Sequence, residues 1–271
     1  MKLRDKVIVV TGSTRGIGRA IAEACAREGA RLVVCSRDGE SVRQTREALA
    51  AEGLQVSGIR ADVSVPSDLE QLLQHALQEW GRVDVWVNNA GLSGGFQPLD
   101  EMSPEEIEAV IDTNLTATLQ ACRLVIPQFI RQGGGILVNM SGKGGRGEAS
   151  PYLTVYAATK IAVISLTKSL ALENKAHPIS IHAVLPGMVA TDFYRDVMPG
   201  RGLVAAAQSI PYVLKAVGVP VEEVGRLFVD IASQQPGRET GKVYSLFKGW
   251  RMMRGIAMLM WYRAAGKVKA T

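Results

Sequence analysis

Cysteine is scarce in this chain: three in 271 residues, Cys25, Cys35 and Cys122, far apart and set among apolar neighbours. An odd, scattered set suggests neither a disulfide framework nor a metal site, so the three read as buried small hydrophobes. Long apolar runs are also missing. No stretch approaches the roughly 18 consecutive apolar residues of a membrane-spanning helix, although mean hydropathy is slightly positive at +0.09. The first six residues alternate charge and lead into Val7-Ile8-Val9-Val10 without the apolar core of a signal peptide, which gives a cytoplasmic expectation. Linkers rich in Pro, Gly or Ser, repeats and low-complexity tracts are absent, so nothing marks a boundary between domains. Acid is missing from the end: no Asp or Glu follows Glu239. With 47% hydrophobic and 21% charged residues, what remains is ordinary globular composition, and disordered or collagen-like architectures are excluded.

Net charge is +5, but Lys242, Lys248, Arg251, Arg254, Arg263, Lys267 and Lys269 carry +7 beyond Glu239, leaving −2 on the preceding body. Along that body, short β-branched runs alternate with helical patterns. Candidate strands are residues 7–11, 32–36, 56–60, 83–88, 136–140, 179–185 and 243–247. Strands alternating with helices predict one α/β domain: a doubly wound parallel sheet of about seven strands with helices on both faces. The first helix sets Ile17, Ile21, Ala24 and Cys25 on one face and should end at Gly29 in a left-handed cap. A later helix starts at Ser103-Pro104-Glu105-Glu106, a capping box with proline in the first turn. Its apolar face runs through Ile107, Val110 and Ile111 to Asn114. An inward amide needs partners, so Asn114 is either a structural bridge or a site residue.

Directly after the first strand comes Thr11-Gly12-Ser13-Thr14-Arg15-Gly16-Ile17-Gly18. Glycines permit a tight turn and close approach of backbone to a phosphate, and the N–H groups of the following helix attract an anion. No Gly-Lys-Ser/Thr closes it, so it is not a Walker loop, and it lacks GxGxxG spacing. A purely structural turn is the alternative. The second strand ends at Ser36-Arg37, where NAD-binding folds have a carboxylate for the ribose 2′-hydroxyl. A hydroxyl and a guanidinium, with Arg15 nearby, favour the 2′-phosphate of NADP(H) over NAD(H); otherwise Arg37 is a solvated loop charge. Asp62-Val63, Asn88-Asn89-Ala90-Gly91, Tyr156-Ala157-Ala158-Thr159-Lys160 and Pro186-Gly187-Met188-Val189-Ala190-Thr191 follow. Tyr156 and Lys160 are four apart and share a helix face, and an ammonium beside a phenol favours proton transfer near neutral pH.

In order and spacing, these motifs resemble the short-chain dehydrogenase/reductase family from Lys6 to about Phe247. The resemblance implies a Rossmann-like sheet of strand order 3-2-1-4-5-6-7, a nicotinamide cofactor, hydride transfer to or from a carbonyl or alcohol, and a homodimer or homotetramer. Gly12, Ser13, Thr14, Arg15, Gly16, Ile17 and Gly18 would form the phosphate turn, with Ser36 and Arg37 at the 2′-position. Asp62 and Val63 would meet the adenine, and Asn89, Ala90 and Gly91 the adenosine ribose. Pro186, Gly187, Val189 and Thr191 would embrace the nicotinamide end. Tyr156 would be the general acid for reduction, Lys160 would hold the ribose and lower the tyrosine pKa, and Asn114 would keep a water in a proton relay.

One position departs from the family pattern. The usual Asn-x-Ser-Ser reads Asn139-Met140-Ser141-Gly142 here, so Gly142 stands where the substrate-binding serine belongs. Either Ser141 takes the role, or the carbonyl is polarised by Tyr156 and another donor. This stretch, with the Leu153–Lys160 region and a Thr240-Gly241-Lys242-Val243-Tyr244 ending, is similar to plant chlorophyll(ide) b reductases, which implies formyl reduction on a tetrapyrrole. Met140, Gly142, Met188, Phe193, Tyr194, Met198 and Tyr212 near the strand ends suggest a pocket for a bulky lipophilic carbonyl compound, or else packing of a lid over about 192–221. The domain is thus read as 1–249, followed by a basic, Met- and Trp-rich tail over 250–271. That tail is expected to pack on a subunit or cover the pocket rather than lie on a membrane, and nothing in it points to nucleic acid. The reading from a different class is a dinucleotide-binding regulator, or an interaction protein, that keeps the fold without turnover.

Overall fold

The computed structural model describes residues 1–191 and 204–268, with side chains over 1–191 and 208–268. Seven parallel strands form one sheet in the order β3-β2-β1-β4-β5-β6-β9. These are β1 (Val7–Val10), β2 (Arg31–Ser36), β3 (Val56–Arg60), β4 (Val85–Asn88), β5 (Gly135–Met140), β6 (Ile179–Leu185) and β9 (Val243–Ser245). All seven expected strands are present, within two residues at each end. Two further strands escaped the sequence because each has only two residues: β7 (Met188–Val189) and β8 (Gly218–Val219), which pair with each other. With these two counted, the last strand of the main sheet is the ninth along the chain.

Strand alternation sorts the core into two layers. Ile8, Val10, Leu32, Val34, Val85, Val87, Ile136 and Val138 face α1 (Gly16–Arg27), α2 (Gly39–Ala51) and α8 (Val221–Ala232). Val9, Val33, Trp86 and Leu137 face α3 (Pro66–Trp80) and α5 (Ala117–Arg131). Burial on both faces explains why the strands read as nearly unbroken apolar runs. Helix α1 ends as expected, with Gly29 at φ +92°. Gly225 brings α8 against α1: a Cβ there would stand 2.8 Å from Ala24 Cβ.

The capping box opens α4 (Pro104–Ile111), where Ser103 Oγ accepts from Glu106 N and Glu106 returns the bond to Ser103 N. A π-helical turn over Asp112–Thr116 then joins α4 to α5. This widened turn alters the expected face: Val110 and Asn114 are buried, but Ile111 is exposed. Helix α6 (Thr154–Glu173) is, among the described residues, the one helix long and apolar enough to cross a membrane. It lies instead against β5 and β6 with Thr159, Lys160 and Thr167 buried. Beyond it are α7 (Val204–Val217) and α9 (Gly249–Ala264), which pack on each other.

Candidate active site

Strand order reverses between β1 and β4. In such sheets a crevice opens beyond the carboxyl ends of the strands at this point. A cavity of about 570 Å³ lies there, lined by the segments that follow β1 to β6 and β9. The turn after β1 is held open by backbone chemistry. Gly12 and Gly16 sit at φ +62° and +56°, where a side chain would be strained. Gly18 lies so close to the start of the turn that a Cβ would stand 2.2 Å from Gly12 O. Thr11 Oγ1 accepts from the N–H groups of Asn89 and Ala90, and Asn89 Nδ2 donates to Thr11 O at 2.8 Å and Gly12 O at 3.2 Å. The turns after β1 and β4 are thereby one unit. Helix α1 starts from Arg15 without a side-chain cap, which leaves its first N–H groups for a ligand beside the cavity.

Thr14, Arg15, Ile17, Ser36, Arg37, Asp62, Val63, Asn89, Ala90 and Gly91 line this half of the cavity. Ser13 does not. It is fully buried, its N–H donates to Cys35 O and its Oγ accepts from Cys35 N at 3.0 Å, so both groups are committed to β2. The nearest carboxylate after β2, Asp38, caps α2 by accepting from the N–H groups of Glu40 and Ser41. Those bonds, led by the one from the Ser41 hydroxyl, hold Asp38 below the usual carboxylate range. Arg15 and Arg37 are exposed and form no ion pair among the described residues.

Helix α6 carries Tyr156 and Lys160 to the other half. Lys160 is 3% exposed, its Nζ donates to Met140 O at 3.1 Å and lies 5.3 Å from the Tyr156 ring centre. Burial lowers its pKa to about 8. Asn114 Oδ1 accepts from Leu92 N at 2.8 Å, while Nδ2 donates to Leu92 O and to Thr159 Oγ1. Asn114 is therefore a bridge between the segment after β4 and α6, and it sits behind the cavity wall rather than in it. A buried chain unread in the sequence supports the same helix: Trp86 Nε1 donates to Asn88 Oδ1, Asn88 Nδ2 to Asn139 Oδ1, and Asn139 Nδ2 to Thr167 Oγ1. Three amide or hydroxyl side chains at inward positions were the available signal.

Ser141 lines the cavity beside Gly142 and Tyr156. The residue is 1% exposed and its hydroxyl donates to Lys160 O at 2.8 Å, which favours the second of the two alternatives, polarisation of the carbonyl by Tyr156 and another donor. At Gly142 a Cβ would stand 2.3 Å from Tyr156 Oη, so the tyrosine hydroxyl occupies the space that a side chain here would need. The long segment between β5 and α6 is tied by Glu148, whose carboxylate accepts from the N–H groups of Gly144 and Arg146. Burial pushes this carboxyl up, but those bonds prevail and leave it below its ordinary value.

Met140 and Met188 line the cavity with Pro186, Gly187, Val189 and Thr191. Tyr212 does not. It packs edge-on against Tyr262 at 5.3 Å because α9 covers that side of α7. Phe193, Tyr194 and Met198 lie outside the described residues, as does much of the expected lid. Val217, Phe247, Ile256 and Leu259 complete the apolar wall and were not anticipated. They come from segments far apart in the chain, and only the packing of α7 and α9 brings them together.

The sequence profile of the short chain dehydrogenases matches residues 6–201. The chain belongs to this family. Among curated members, the probable chlorophyll(ide) b reductase NYC1 of Oryza sativa subsp. japonica is 37% identical over 210 residues, which are 70% of this chain and 42% of that protein. The chain thus spans less than half the length of that relative. An actinorhodin polyketide ketoreductase crystallised with NADPH has a TM-score of 0.79 at 30% identity, covering 89% of this chain and 95% of its own. A 3-ketoacyl-(acyl-carrier-protein) reductase from Brucella melitensis, complexed with NADH, has a TM-score of 0.78 at 26% identity, covering 90% and 97%. The sheet order that the family resemblance implies is that of the structure described above.

Proposed function

We propose that this family member is an NADPH-dependent reductase of a ketone or aldehyde on a bulky lipophilic substrate. The observation that carries the reading is the meeting of Tyr156, Lys160 and the side-chain-free Gly142 at one end of a cavity whose other end is the glycine turn. The residues fit a dinucleotide. The uncapped start of α1 suits a pyrophosphate, Asp62 and Val63 suit an adenine, and Asn89, Ala90 and Gly91 suit its ribose. Lys160 would hold the second ribose, and Pro186, Gly187, Val189 and Thr191 would enclose the nicotinamide. When bound, the reduced nicotinamide supplies hydride to the carbonyl carbon. Tyr156 donates its phenolic proton to the carbonyl oxygen, and the neighbouring ammonium of Lys160 stabilises the phenolate left behind. Asn114 acts at one remove, by fixing α6 against the segment after β4. The apolar wall, with Met140, Met188, Val217, Phe247, Ile256 and Leu259, favours a lipophilic substrate. A formyl tetrapyrrole is one such candidate, given the likeness to the rice protein. A cytoplasmic homodimer or homotetramer completes the proposal.

NADPH oxidation by the purified chain, followed by absorbance against lipophilic ketones, aldehydes and a formyl tetrapyrrole, tests this reading. Tight NADPH binding without turnover across the panel would favour the regulator instead. The cofactor preference rests on Arg15 and Arg37, unpaired among the described residues, and on the capture of Asp38 by α2. Arg37→Ala should weaken NADPH binding about 10- to 100-fold through loss of a charge-assisted bond, and leave NADH binding unchanged. Equal affinities for the two cofactors in the parent, untouched by the substitution, would refute it. Restoring the family's usual side chain is expected to harm this enzyme: Gly142→Ser should displace the Tyr156 hydroxyl and lower kcat about 100-fold. A faster Gly142→Ser enzyme would show that the hydroxyl, not the open space, is what the site lacks.

A further inference from the structure

Helix α9 wears its apolar side outward. At about 100° per residue, Gly255 and Tyr262 are buried toward α7, and the opposite arc runs from Ile256 through Met260, Met253, Ala257 and Trp250 to Trp261. On that arc Trp250 is 75% exposed, Met260 67%, Met253 61% and Trp261 60%. A water-facing helix side normally carries charge. Here the arginines stand at the edges, Arg254 beside Trp261 and Arg263 beside Ile256, with Lys248 just before the helix. Lys267 returns over the Trp261 ring at 5.6 Å. Among the described residues, the acid ion-paired with this helix is Glu223, which takes Arg251 at 2.7 Å and not an arginine of the rim.

A cationic rim around an exposed Trp and Met face selects its occupant. Self-association of this face about a two-fold axis would set the cationic rim of one copy, Arg254, Arg263, Lys248 and Lys267, against the same rim of the other, like charge against like. An anionic lipid surface offers phosphates to the rim and an acyl boundary to the face, the depth at which tryptophan partitions. We propose that α9 docks this protein on anionic membranes, with Trp250, Met253, Met260 and Trp261 entering the headgroup region. Its neighbours Ile256 and Leu259 line the cavity, so docking sets the cavity mouth at the lipid surface. Delivery of a lipophilic substrate from the bilayer rests on the reductase reading, but docking itself does not.

Vesicle co-sedimentation of the full chain provides the test. The parent should bind vesicles of phosphatidylcholine containing phosphatidylglycerol at physiological ionic strength, and release as salt rises. Acyl chains carrying bromine should quench its tryptophan fluorescence, a measurement that needs no variant. Trp250→Ser with Trp261→Ser, and separately Arg254→Glu with Arg263→Glu, should each lower the partition coefficient about tenfold or more while NADPH binding persists. The proposal is overturned if the parent binds anionic and neutral vesicles alike, or if the bromolipids do not quench. It is equally overturned if the tryptophan pair dissociates an oligomer in sedimentation velocity and leaves vesicle binding intact, since the face is then a subunit contact. Vesicle binding without turnover of any carbonyl would sink the reductase reading and spare this one.

Discussion

Tyr156→Phe should lower NADPH-dependent carbonyl reduction by about 10²- to 10⁴-fold, the usual contribution of a positioned general acid. The substitution removes one oxygen and keeps the ring that fills the space beside Gly142. Cofactor binding should survive, because the glycine turn, Arg37 and Lys160 are untouched. Absorbance assays of turnover, run beside fluorescence titration of NADPH, separate the two effects. A variant that turns over within about tenfold of the parent would mean that another group delivers the proton. Two neighbouring hydroxyls are already committed: Ser141 gives its proton to Lys160 O, and Thr159 Oγ1 donates to Tyr156 O.

Lys160→Met should have opposite effects on function and stability. Turnover should fall at least as far as in Tyr156→Phe, because the phenolate loses its neighbouring charge. The folded chain without cofactor, however, should become more stable near neutral pH. An unfolded lysine titrates at 10.5, whereas burial lowers Lys160 to about 8 in the fold. Below that lower value both states carry the proton, and the fold bears the full cost of a buried ammonium, on the order of 3 kcal/mol at 1.36 kcal/mol per pH unit. Between about pH 8 and 10.5 the unfolded chain binds more protons, so parental stability rises with pH across that window. The advantage of Lys160→Met should therefore be about 1–3 kcal/mol near pH 7, less than the full value because Met140 O loses its donor, and should shrink toward pH 10.5. Urea unfolding at several pH values checks this. A variant less stable than the parent at neutral pH would show that the ammonium is paired or solvated in the fold. The cost is reasonable for a binding site: a charge kept dry and poorly paired is one that a ribose and a phenolate can use.

The Gly142 substitution connects these two results. In the family pattern a serine would share the carbonyl oxygen with the tyrosine. In this chain the tyrosine hydroxyl stands in the space that such a side chain would need, so in the proposed reaction proton donation and polarisation would converge on one residue. This is why Gly142→Ser is expected to inhibit, and why the loss in Tyr156→Phe should lie toward the upper end of its range.

The sequence by itself determined the sheet, the caps and the two ends of the site. Strands buried on both faces leave unbroken β-branched runs, Ser103 and Glu106 form a local capping box, and Gly12, Gly16 and Gly29 stand where φ is positive. The four-residue interval from Tyr156 to Lys160 needs only one helix to become a shared face. These are local signals, set by backbone sterics and by periods of two or 3.6 residues. Tertiary structure decided what depends on the direction of a side chain or on contact across the chain. Ser13 and Ser141 each had a plausible place in a motif, yet a neighbouring strand and a helix carbonyl claimed their hydroxyls, because buried polar groups take the partners within reach. Asn114 became a bridge once the π-helical turn aimed it at Leu92. Tyr212 left the expected pocket for Tyr262, and Ile256 and Leu259 entered it. No period within α9 distinguishes the side that packs from the side that faces outward, since both are apolar. Only its seat on α7 made that choice, and with it the exposed tryptophans and their cationic rim.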